Sequence, residues 1–299
     1  MLIVLVSELD ALMAESGRMP GRLADLLERA RSRPLQPDAF QGQLLTGQIV
    51  PAAPLTRRLD CPGDADGVWL RADPVDLRPD LSAVWVKPGA RLSPQAAVVS
   101  QLQSLFAEYG MRFELPVAER GYVGLDACPD CHFEPPWALP GISLDELMPS
   151  GPDARQWRGL MSECQILLHQ HREGDMPGGL WFWGAGQLPS RETVNSRVSR
   201  VVASDPVLVA LAEWLNLPLK SNESPESGCC EDVLIEWPAR YELSAEDNLQ
   251  RLDAFLKPAW RRLQLGRLDA IEVAGRERIW RVTTRDSRQF WKRGRRSLQ

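Results

Sequence analysis

Ten short runs rich in β-branched and aromatic residues recur along the chain, mostly separated by stretches with helical apolar spacing. Such alternation restricts the chain to a layered α/β arrangement, because each sheet face and each helix stripe must find a partner layer. The runs lie at 2–6, 68–71, 83–86, 112–115, 122–125, 180–183, 198–202, 233–237, 270–273 and 278–283. Helical spacing is found at 20–31, where Leu23, Leu26 and Leu27 share a face, at 94–109 behind Ser93, and at 151–171, 205–215 and 245–263. Ser143-Leu144-Asp145-Glu146 has the form of a capping box for one further turn. Pro258 is expected to kink or end the last helix early. The last two runs frame Gly275 as a hairpin. The predicted fold is therefore a mixed, mostly parallel sheet flanked by helices, with a C-terminal hairpin. Stretches 35–67 and 221–228 are rich in Pro, Gly and polar residues and read as long loops.

At 299 residues the chain suits a single α/β domain over 1–299, or two packed lobes at 1–150 and 151–283, with a basic tail at 284–299. Net charge is −5, so nothing draws the whole chain to nucleic acid or anionic lipid. Charge is unevenly placed. Residues 221–250 carry eight acids against Arg240, and 276–299 carry nine bases against two acids. These stretches face each other or solvate the surface; alternatively, Trp291, Lys292, Arg293, Arg295 and Arg296 meet an acidic protein partner or a nucleic-acid backbone.

No apolar run reaches the roughly 18 residues of a membrane span, so no membrane partner is expected. The opening run lacks a basic flank and breaks at Ser7-Glu8, which reads as a buried strand in a cytoplasmic protein with reduced cysteines. Cys128-Pro129-Asp130-Cys131-His132 matches a c-type haem attachment pattern, but that chemistry belongs to exported proteins. Cys229-Cys230 is adjacent and supplies no second zinc half-site. The expected role of Cys128 and Cys131 is a loop pair without a cofactor.

The segment 151–189 gathers more chemistry than any other. Trp157, Leu160, Met161, Cys164, Leu167, Leu168 and His171 form a core-facing helical stripe, and Gln165 and His169 share a face off it. His169 and His171 either favour the helix C-terminus electrostatically or turn toward a cleft. Leu180-Trp181-Phe182-Trp183 then reads as a strand leaving its sheet through Gly184-Ala185-Gly186, a turn whose backbone can approach a ligand closely. In a second cluster, a strand ends at Arg71 and an Asp73-Pro74 turn. Arg71 either grips a phosphate or carboxylate bidentately or pairs with Asp73.

Three strings together resemble one family: LRADPVDL at 70–77, WRGLMSECQILLHQH at 157–171 and LWFWGAGQLP at 180–189. They look like the RpfE-type regulatory proteins of proteobacteria, which are related to cofactor-independent phosphoglycerate mutases. Phe290-Trp291-Lys292-Arg293 fits that family's ending. The resemblance implies an alkaline-phosphatase-like core and a cleft lined by Arg71, Asp73, Gln165, His169, Trp183, Gly184 and Gly186. Arg71 would bind a small phosphorylated metabolite, Gln165 and His169 would orient it, and the glycines would admit it. Phosphoryl transfer in alkaline-phosphatase-like enzymes needs two metals held by many Asp and His ligands. This chain has three histidines, two of them at one helix end. The expectation is a regulatory binding protein with no catalytic residue, metal or cofactor. The alternatives are a metal-dependent mutase or phosphatase, and an adaptor that binds a DNA-repair nuclease or nucleic acid through the basic tail.

Overall fold

A computed structural model describes residues 1–61, 66–81, 83–171, 176–221 and 232–288. In chain order the elements are β1 (Leu2–Leu5), α1 (Leu9–Ser16), α2 (Gly21–Arg29), β2 (Arg31–Pro34), α3 (Phe40–Thr46), α4 (Ala52–Asp60), β3 (Val68–Pro79), β4 (Val84–Pro88), α5 (Ala97–Glu108), β5 (Arg112–Val117) and β6 (Arg120–Leu125). They continue with α6 (Leu144–Leu147), α7 (Ala154–Gln170), β7 (Gly179–Gly186), β8 (Arg200–Val202), α8 (Pro206–Trp214), β9 (Leu219–Lys220), β10 (Val233–Glu236), α9 (Ala245–Gln264), β11 (Ala270–Ala274), β12 (Arg278–Thr283) and α10 (Thr284–Ser287). The fold is α/β, with a mostly parallel mixed sheet flanked by helices. Among the described residues no helix is long and apolar enough to cross a membrane.

The chain forms two compact units. One comprises Met1–Ile49 and Glu192–Gln299; the other is Val50–Arg191, continuous in sequence and interrupting the first. The units thus divide at 49/50 and at 191/192 rather than at 150.

The first unit holds a seven-stranded sheet in the order β2-β12-β11-β1-β10-β8-β9. The strands from β11 to β9 run parallel, and β12 and β2 add antiparallel to that edge. Side chains alternate across β1 and β11. Leu2, Val4, Ile271 and Val273 enter a core with Leu23, Leu26, Leu249, Leu252, Leu256 and Leu263 from α2 and α9. Ile3 and Glu272, paired in register, face the other way. The helix α9 runs unbroken through Pro258 rather than ending there. Its buried stripe, including Leu252, Leu256, Ala259, Trp260 and Leu263, outweighs the roughly 3 kcal/mol that an interior proline costs.

The supposed tail begins inside this unit. Thr283 and Asp286 form the capping box of α10, Ser287 is fully buried, and Arg29 Nη1 donates to the Ser287 carbonyl at 2.7 Å. Residues 289–299 lie outside the described residues, and with them Trp291, Lys292, Arg293, Arg295 and Arg296. Cys229 and Cys230 also lie outside them.

The second unit is built on an antiparallel sheet with β3 at its centre. β6 pairs with the first part of β3 at Val68–Arg71, β4 pairs with Val75–Pro79, and β7 runs along the other side. The expected Asp-Pro turn is thus continuous strand. Val75 accepts from Gly178 on the β7 side, so the position of Pro74 points its missing N–H the other way. There β3 is passing from β6 to β4 and has no ladder bond to lose. Likewise, 35–67 is not one long loop, since α3 and α4 lie within it. Nor does Ser143 cap α6 as a capping box; its Oγ donates to Glu146 Oε1 at 2.8 Å instead.

Candidate functional site

The sheet of the second unit brings Arg71 and Asp73 onto one face of β3, and Trp183 of β7 lies in register with Arg71. Arg71 Nε donates to Asp73 Oδ1 at 2.8 Å and Nη2 donates to Oδ2 at 2.8 Å. Its Nη1 donates to Thr56 Oγ1 of α4 at 3.0 Å, and that hydroxyl donates to the Ala52 carbonyl at 2.9 Å. The indole Nε1 of Trp183 donates to Asp73 Oδ2 at 2.7 Å. The Arg71 guanidinium lies 5.0 Å from the centroid of the Trp183 ring and 5.4 Å from that of Tyr122. Arg71 itself is 4% exposed.

Two further pairs extend this arrangement. Asp60, at the end of α4, accepts from Arg120 Nε at 2.6 Å and Nη2 at 2.5 Å, and from the Tyr122 hydroxyl at 2.5 Å. Arg57 donates to Glu114 through Nε at 2.9 Å and Nη2 at 3.2 Å, with its guanidinium 3.7 Å from the Trp69 ring centroid. Burial raises the Asp73 carboxyl above the ordinary aspartate value, and Arg71 pulls it back. Burial also raises the Tyr122 hydroxyl. Arg71 faces Asp73 and Arg120 faces Asp60, while Arg57 shares Glu114 with Arg112, whose Nε lies 3.1 Å from Oε1 and whose guanidinium lies 4.7 Å from the Trp69 ring centroid. The result is a lattice of ion pairs tying α4 to β3, β5, β6 and β7.

The expected single cleft of seven residues is not formed. Arg71, Asp73 and Trp183 meet, but as partners of one another. Gly184 and Gly186 follow on β7, where they admit protein. A Cβ on Gly186 would lie 2.4 Å from Pro51 Cγ, and one on Gly184 would lie 3.1 Å from the Ala52 Cβ; both residues have positive φ, +153° and +67°. The close approach that their backbone allows is that of the start of α4. Gln165 borders a different pocket, walled by Leu144, Met148, Met161, Leu180 and Trp181. The helix α7 buries its stripe on the Phe182 face of β7, with the Trp157 and Phe182 ring centroids 5.2 Å apart, and leaves His169 exposed.

The remaining imidazoles lie apart. His171 Nδ1 donates to the Leu167 carbonyl at 3.0 Å, which leaves Nε2 to accept from Gln101 Nε2 at 2.8 Å. His132 Nε2 is 2.9 Å from Glu134 Oε1. Cys128 and Cys131 are free thiols, and burial raises the Cys131 thiol. Among the described residues no three His, Cys, Asp or Glu side chains gather as a metal-binding group.

No protein-family model matches the sequence, and no curated protein matches it. Among solved structures, a cofactor-independent phosphoglycerate mutase from Thermoplasma acidophilum DSM 1728 is similar at 18% identity and a TM-score of 0.42, covering 94% of this chain and 89% of that chain. The PH0037 protein from Pyrococcus horikoshii is similar at 11% identity and a TM-score of 0.38, covering 94% and 86%.

Sequence reasoning missed Thr56, Asp60, Arg120 and Tyr122. Thr56 and Asp60 fall in a stretch whose prolines and polar residues masked a helix. No local spacing links them to Arg71, because the contacts join residues far apart in the chain. The Asp73-to-Arg71 spacing, i to i+2 on a strand, was the legible part.

Proposed function

We propose that the chain acts by binding, as a regulatory protein of RpfE type on a phosphoglycerate mutase-like scaffold, and does not itself transfer a phosphoryl group. The reading rests on the charge balance around Arg71. A site that stabilises phosphoryl transfer needs positive charge in excess, aimed at the three oxygens of the moving group. Here Arg71 is matched by Asp73, and each of its three nitrogens donates one hydrogen bond, two to Asp73 and one to Thr56. The strings that resemble the family therefore serve as framework. The partners in this reading are a protein, met through Trp291, Lys292, Arg293, Arg295 and Arg296, and a small phosphorylated metabolite, in the cytoplasm.

The test is incubation of the full chain with 3-phosphoglycerate and manganese or magnesium. The expected result is no 2-phosphoglycerate above the enzyme-free control. Metal-dependent conversion that disappears in Arg71→Ala would overturn the proposal in favour of a mutase.

A further inference from the structure

The first unit carries an arginine cluster of the opposite character. At the β2 edge of its sheet, Glu272 of β11 lies opposite Arg281 of β12, and Arg281 lies opposite Arg31 of β2. In the adjoining row Ile279 lies opposite Arg33. These five side chains and Arg197 line a cavity of about 300 Å³. Glu272 is 2% exposed and forms its floor. Its Oε1 accepts from Arg197 Nη2 at 2.5 Å and from Arg281 Nη1 at 2.9 Å. Its Oε2 is buried and has no hydrogen-bond partner.

Two features here are unfavourable without a ligand. Like charges directly opposite one another on neighbouring strands repel, as Arg281 and Arg31 do. A buried carboxylate oxygen left unbonded keeps its full desolvation cost. The cavity also has four guanidinium groups against one carboxylate, a larger excess than the four arginines on three carboxylates around Arg71. An oxyanion among the arginines would relieve the repulsion, with bidentate bonds suited to guanidinium geometry. A hydroxyl on the same ligand would satisfy Glu272 Oε2.

We propose that this cavity binds a small phosphate ester bearing a free hydroxyl, with Arg31, Arg33 and Arg281 on the phosphate and Glu272 Oε2 accepting from the hydroxyl. The buried floor favours a small molecule over a nucleic-acid strand, whose phosphates would reach the exposed Arg31 and Arg33 but not Glu272. The site is independent of the Arg71 lattice and of whether the chain transfers phosphate.

The experiment is calorimetric titration of the full chain with glycerol 3-phosphate and with methyl phosphate, which lacks the hydroxyl, at low and at raised salt. Wild type should bind glycerol 3-phosphate about tenfold more tightly than methyl phosphate, since a hydrogen bond to a charged group is worth about that factor. Arg31→Ala combined with Arg33→Ala changes two exposed side chains and should weaken both ligands at least tenfold, with the circular dichroism spectrum and melting temperature retained. Glu272→Gln should reduce the preference between the two esters; where it fails to fold, the ester comparison in wild type tests the same contact. No binding of either ester, or unchanged affinity in the double variant, overturns the site. Equal affinity for the two esters overturns the role of Glu272. Oligothymidylate that binds and competes with glycerol 3-phosphate in wild type, but not in the double variant, overturns the small-ligand assignment in favour of nucleic acid.

Discussion

Trp183 donates its indole N–H to the same Asp73 oxygen, Oδ2, that receives Nη2 of Arg71. One carboxylate thus closes an ion pair within β3 and a bond between β3 and β7. A buried arginine is tolerated only where its charge is matched and its donors are occupied, and this shared acceptor helps to meet both conditions.

Trp183→Phe keeps an aromatic ring but removes the indole N–H donor. The variant should lose about 1.5–3 kcal/mol in urea unfolding, the range for a hydrogen bond to a charged group. Trp181→Phe removes a bond to a neutral acceptor, the Glu134 carbonyl, and should lose less. Equal losses would count against a charged acceptor at Asp73.

Gly186→Ala places a methyl group 2.4 Å from the Pro51 ring and forces a positive φ on a residue with a side chain. Stability should fall by about 1–3 kcal/mol, the usual cost of overpacking. A variant that melts with wild type would show that β7 does not press on the start of α4.

Truncation after Arg288 keeps α10 and the Arg288 bonds to the Gln264 carbonyl, and should leave the melting temperature unchanged. Truncation after Thr283 removes Asp286, Ser287 and the acceptor of buried Arg29, and should cost about 2–4 kcal/mol. Loss of partner capture already on truncation after Arg288 would assign that binding to 289–299. Equal stability of the two chains would contradict the structural role of α10.

Burial pushes the Cys164 thiol up to about 12, with Glu163 adding to the effect. An unfolded thiol ionises near ~8.5. Between these values the unfolded chain releases a proton that the folded chain keeps, so stability falls as pH rises from about 9 toward 12, by up to about 1.4 kcal/mol per unit from this group. Urea melts of wild type and Cys164→Ala at pH 8 and pH 10.5 read the difference. Parallel pH dependence in the two proteins would mean the thiol is not shielded.

Much of the fold was legible because its signals are local. The ten β-rich runs all became strands, and Asp205 caps α8 through Val207 and Leu208 as its position before Pro206 suggests. What escaped has a physical cause in each case. The strand β2 has no apolar residue to mark it, and forms because β12 offers an open edge to Arg31–Pro34. Its alternating Arg31 and Arg33, two apart on one face, were the available clue to the arginine cavity. The helix α4 starts behind Pro51 and carries Pro54 in its first turn, where proline is tolerated, so prolines that suggested a loop instead open a helix. At Arg71 the sequence offered two fates, ligand or Asp73, and only the packing of Thr56, Tyr122 and Trp183 around it decides between them. Gln165 and His169 share a helix face as expected, yet that helix lays its buried stripe on the Phe182 side of β7, away from the Arg71 pair.

A double-mutant cycle on Arg71→Met and Asp73→Leu tests the framework role most directly. Each single change should cost about 3 kcal/mol or more in urea unfolding, because it strands a buried charge, while the double variant should recover a coupling of at least about 2 kcal/mol. Additive single effects of less than about 1 kcal/mol, together with loss of phosphate-ester binding in Arg71→Met, would contradict the account and return Arg71 to a ligand.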